Sequence, residues 1–123
     1  MEDKTHTQYI VKDNIIDFDN NCIVFDYPID AKNVIRIDDI LVIRLEVPIG
    51  IKFNKNVYGV NLIERKVIWQ IEEKLFKNSD TQDCPCIEIF MLNNNFIRLN
   101  FWCSNYWIIN PINGSIIFEG QYR

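Results

Sequence analysis

The run Asn61-Leu62-Ile63-Glu64-Arg65-Lys66-Val67-Ile68-Trp69 recurs 49 residues later as Asn110-Pro111-Ile112-Asn113-Gly114-Ser115-Ile116-Ile117-Phe118. Each copy has a polar Asn, a four-residue loop centre, two β-branched residues and a large aromatic. Upstream, Ile43-Arg44-Leu45 matches Ile97-Arg98-Leu99, 54 residues later. The change of offset falls in the loop 48–55. Two segments that align in order with one loop-length change mark a duplicated unit, and such a unit must bury its apolar face against a neighbour.

The local pattern is that of strands and turns. Ala is almost absent (only Ala31), whereas Ile, Asn and Lys abound. This removes the main helix former and supplies the main strand former. Strand-like runs cover 21–27, 33–37, 40–47, 56–61, 67–71, 86–92, 95–101, 105–110 and 115–121. In 40–47, Leu41, Ile43, Leu45 and Val47 alternate with Ile40, Val42, Arg44 and Glu46. Asp38-Asp39, Asn93-Asn94 and Asn110 to Gly114 are turn sequences. A spacing of about ten residues predicts antiparallel hairpins, since parallel crossovers need more chain. The expectation is one all-β domain over 1–123, an antiparallel meander of about nine strands. Its two blade-like four-stranded units, 33–71 and 86–121, pack as a sandwich. Residues 1–12 are expected to form a mobile tail, 13–27 to add one or two strands at an edge, and 71–77 to hold a short helix. Trp69 is placed in the core on the face of Val67 and Ile71.

Seventeen acids against 13 Lys and Arg give a net charge of -4 and a pI near 4.9. General nucleic-acid binding, which needs a basic face, is therefore not expected. No apolar stretch approaches the roughly 18 residues of a membrane helix. No signal-like segment opens the chain, so a cytoplasmic location is expected, with Cys22, Cys84, Cys86 and Cys103 as free thiols. The acids concentrate at the N-terminal end: residues 1–39 hold nine against four bases. Asp17, Asp19, Asp26, Asp30, Asp38 and Asp39 are the candidate contacts for a basic partner, with Trp102 and Tyr106 as aromatic anchors. Trp102 is expected on the face of Phe96, Arg98 and Asn100, and Trp and Arg are frequent interface hot spots.

Catalysis finds little support. The only histidine is His6, in the expected tail, and general-base work needs a group held at about 3 Å. There is no P-loop, dinucleotide fingerprint or H-E-x-x-H. Cys84-Pro85-Cys86 has a one-residue spacing where zinc sites favour two to four. A small metal or thiol protein using Cys84 and Cys86 is the minor alternative. Neither a metal nor a cofactor is expected.

The repeated unit resembles a blade of the pyrroloquinoline-quinone type of β-propeller, in which a strand is followed by Asp-x-x-Thr-Gly-Lys, β-branched residues and Trp. Residues 110–118 fit, and 61–69 fit except that Arg65 stands where the pattern has Gly, so that turn is expected to differ. Two blades cannot close a propeller, and no quinone site carries over. This resemblance implies a two-blade binding module without catalytic activity. A second resemblance rests on Phe25-Asp26-Tyr27-Pro28-Ile29, Asp39 to Ile43, Asn56 to Asn61 and Val67 to Ile71. These look like segments of small acidic β proteins of bacteria, several of which resemble immunity partners of secreted toxins. It implies an inhibitor that binds a cognate toxin, an RNase or DNase domain with a basic cleft.

Overall fold

The computed structural model describes residues 8–73, 84–93 and 95–122. His6, most of the expected helix 71–77 and most of the loop 78–85 lie outside the described residues; 71–73 are not helical. The fold is all-β, with three antiparallel sheets. The first comprises β1 (Ile10–Lys12), β2 (Ile15–Asp17) and β3 (Cys22–Val24). The middle sheet comprises β4 (Ile35–Ile37), β5 (Ile40–Arg44), β6 (Val57–Asn61) and β7 (Lys66–Gln70). The last comprises β8 (Cys86–Met91), β9 (Ile97–Phe101), β10 (Asn105–Ile109) and β11 (Ile116–Gln121). Every sheet is a simple meander. The count of about nine strands was low because 10–24 forms a sheet of its own. Its strands of three residues are too short to show alternation, and β1 lies within the expected tail.

The sheets stack in chain order, and the middle one is buried on both faces. Alternation along β5 explains this. Leu41, Ile43 and Leu45, with Val60 and Leu62, pack on Ile16, Phe18 and Phe25 of the first sheet. Val42, Val57, Trp69 and Ile71 face the other way, onto Ile89, Ile97, Leu99, Phe101, Trp107 and Ile109 of the last sheet. A bulge between Gly59 and Val60 re-phases β7, pairing Val60 with Val67 and Gly59 with Trp69. Val67 therefore does not share the face of Trp69.

Trp69 locks the middle sheet to the last. A Cβ on Gly59 would fall 2.1 Å from its indole nitrogen, and one on Gly114 would fall 2.6 Å from its ring. The indole lies against both backbones because neither residue has a side chain. Its Nε1–H donates to the Pro111 carbonyl at 2.7 Å. Buried asparagines add a polar seam. Asn56 Nδ2 donates to the carbonyls of Leu45 and Cys86 at 2.9 and 2.8 Å. Asn56 Oδ1 accepts from the Cys86 N–H at 2.9 Å, and Asn54 Oδ1 from that of Cys84 at 2.9 Å.

Two expectations need correction. The turns after β6 and β10 do not differ. Arg65 N–H bonds to Asn61 O, and Gly114 N–H to Asn110 O, each at 2.7 Å. Both residues take left-handed backbone, with φ of 59° and 73°. Asn61 Oδ1 accepts from the N–H groups of Ile63 and Glu64, an Asx turn that outweighs the cost of φ above zero for Arg. The second correction concerns the cysteines. Cys84 and Cys103 form a disulfide where free thiols were expected, and Cys84 is fully buried. The β8–β9 hairpin brings their Cα atoms to 5.5 Å. Cys22 and Cys86 remain free thiols.

Candidate functional site

The turns gather part of the acidic set at one end of the stack. Asp17 ends β2 and Asp19 lies within the β2–β3 turn, and Asp38-Asp39 make the two-residue β4–β5 turn, with Asp38 at φ 52°. The β6–β7 turn joins them. Leu62 N–H donates to Asp39 O at 2.8 Å, and Arg65 Nη1 reaches Asn20 Oδ1. Two shallow depressions open at this end. One is lined by Tyr9, Ile10, Phe18, Asp17 and Asp19. The other lies between the middle and last sheets, with Asp38 among Ile37, Ile40, Phe96, Pro111 and Ile112. Bases at this end are engaged locally. Arg36 Nε donates to Asp38 O at 3.0 Å, Lys66 pairs with Glu64 at 3.2 Å, and Arg65 lies over Phe18.

The remaining predicted residues lie elsewhere. Asp26 follows β3 and lies near Tyr58; burial chiefly, and then the Asp26 charge, push the Tyr58 phenol up. Asp30 is buried, and its carboxylate accepts from Arg44 Nη2 at 2.8 Å and Asn33 Nδ2 at 2.9 Å. Burial pushes that carboxyl up, but the two hydrogen bonds and the Arg44 charge outweigh it and hold it below its ordinary range. Asp30 is thus a structural ion-pair partner, not part of the exposed acidic surface. Trp102 is 68% exposed in the β9–β10 turn at the opposite end, where its N–H donates to Pro85 O. The disulfide removes Cys84 as a thiolate. Among the described residues no three His, Cys, Asp or Glu gather as metal ligands. Cys86 is buried, which pushes its thiol up to about 12; the thiolate that a nucleophile or ligand requires is suppressed.

Tyr106 belongs to a different surface, the outward face of the last sheet. Arg98 lies over its ring at 3.8 Å. Register places Glu88 opposite Asn100 and Phe90 opposite Arg98, with Ile108 and Phe118 paired alongside. Phe90 and Phe118 are 40% and 51% exposed. Sequence reasoning singled out Arg98 only as a neighbour of Trp102. The signal available was its alignment with Arg44.

A stack of three meander sheets, with an acidic turn end and an aromatic face carrying one arginine, defines an all-β protein. The chain belongs to a family described as a domain of unknown function, DUF7957, whose model matches residues 6–119. No curated protein matches it. No solved structure does so either.

Proposed function

We propose that the protein is an immunity protein that binds and inhibits a cognate bacterial toxin, a nuclease domain with a basic cleft. One observation carries this reading. Turns of the first and middle sheets bring Asp17, Asp19, Asp38 and Asp39 to one end, beside a mainly apolar depression at Asp38 and a mixed one at Asp17 and Asp19. Acids on a basic cleft raise association above the neutral rate of about 10^5–10^6 M⁻¹s⁻¹, and the apolar depression gives the contact its burial. Trp102 lies at the opposite end and would serve only a partner that wraps the molecule. The protein acts by covering, not by chemistry.

The test is co-expression with the C-terminal domain of a toxin encoded beside its gene. The reading expects survival and co-purification of the pair. The double change Asp38→Lys, Asp39→Lys should slow association about tenfold or more at low salt, and less at high salt. Equal killing with and without the protein would overturn the reading.

A further inference from the structure

The outward face of the last sheet repeats the face by which the middle sheet holds its neighbour. Strand register equates Trp69 with Phe118 but Arg44 with Asn100, so Arg98 stands where Val42 does, one pair further along the same face. In the middle sheet Trp69 and Arg44 are both covered. Trp69 is 8% exposed. Arg44 reaches across to Cys86 O at 3.4 Å while Asp30 neutralises it at 2.8 Å. In the last sheet Phe118 opens outward, and Arg98 lies on the same outward face. Among the described residues no carboxylate pairs with Arg98, whose Nε donates to Asn100 Oδ1 at 2.8 Å. Nor does a cation pair with Glu88, which accepts from Asn100 Nδ2. Tyr106 lies across Gly120, where a Cβ would fall 2.5 Å from its ring, and the Arg98 guanidinium stacks on top.

We propose that this face is covered by the same face of a second copy of the chain, in a two-fold dimer that pairs Arg98 of each copy with Glu88 of the other. The charges select this occupant. Arg98 and Glu88 lie on adjacent strands as diagonal neighbours, roughly 7–8 Å apart at Cα. A two-fold axis passing between them sets each charge over its opposite, the self-complementarity that an isologous contact requires. The surrounding Phe90, Phe118 and Tyr106 supply apolar cover, and stacked sheets lie about 10 Å apart. Four strands of about 18 Å at a spacing of about 4.8 Å give a footprint of roughly 350 Å². That is below the roughly 800 Å² per partner of a standard interface, so the dimer is weak and reversible.

Sedimentation velocity of the full chain, from about 1 μM to about 500 μM, tests this. A reversible shift from monomer to dimer is expected. R98E and E88R should each move the midpoint at least tenfold toward monomer, with far-UV circular dichroism unchanged. An equimolar mixture of the two variants should dimerise again, because each then meets its complement. Should either variant fail to fold, R98Q and E88Q serve in its place, each expected to weaken the dimer. A chain that stays monomeric throughout, a dimer indifferent to both reversals, or a mixture that stays monomeric would overturn the proposal. So would capture of this face by the toxin domain in place of a second copy, which would leave the inhibitor reading standing.

Discussion

The middle and last sheets are the same four-stranded meander, and each carries a large aromatic at one repeat position and an arginine on the same face, yet these residues meet opposite surroundings. Trp69 is wedged between Gly59 and Gly114, while Phe118, at the same place in the repeat, is half exposed. Arg44 is buried against a carboxylate, while Arg98 lies on a tyrosine ring facing outward. Local sequence does not decide burial here. What decides it is whether another sheet follows in the stack. One pattern of residues can therefore be core in one unit and outward-facing in the next.

The largest expected contrast is between Trp69→Ala and Phe118→Ala. The first empties an inter-sheet socket and breaks the bond to Pro111, and should cost about 3–5 kcal/mol in urea unfolding. The second, in dilute protein, should cost less than about 1 kcal/mol. Equal costs would break the comparison.

The two arginines give the next test. Asp30→Ala strands a buried Arg44 and should cost about 3 kcal/mol or more; Glu88→Ala should leave monomer stability nearly unchanged. The Asp30 carboxyl is held below its ordinary value of 3.8. Its contribution is therefore complete above about pH 4 and is lost as pH falls through the lowered value. Asp30→Asn should flatten that part of the stability–pH curve, measured by urea unfolding at a series of acidic pH values.

Reducing the Cys84–Cys103 bond should remove about 3 kcal/mol, seen as a lower urea midpoint with dithiothreitol, by releasing a loop of 19 residues in the unfolded chain. The smallest effect concerns the free thiols. Iodoacetamide at about pH 9 should label exposed Cys22 and spare Cys86, as read by intact mass, because burial keeps the Cys86 thiol protonated.

Much of this was legible in the sequence, for stated reasons. The strands of the middle and last sheets are placed by their alternation and turns, except that the bulge opposite β7 reverses the face of Val67, and the Asp38-Asp39 turn follows from its residue types. The first sheet was hidden by its brevity. Arg65 misled because its left-handed turn is held by Asn61 and not by its own preference. The disulfide was hidden because the cysteines read as reduced thiols of a cytoplasmic chain, a reading that rests on location and not on which cysteines a hairpin brings together. The acidic set looked continuous along the chain, yet Asp26 and Asp30 lie away from the turns that carry Asp17, Asp19, Asp38 and Asp39. Proximity in sequence is not proximity across a hairpin, whose two ends lie a strand length apart.

The claim at the centre of this account is that Trp69 joins two sheets through a buried indole hydrogen bond. Indole N–H exchange in deuterium oxide, followed by nuclear magnetic resonance, reads that bond directly. The Trp69 Nε1–H should exchange only through unfolding that separates the middle and last sheets, while the indole of exposed Trp102 exchanges at once. A Trp69 indole that exchanges as fast as that of Trp102 would contradict the account.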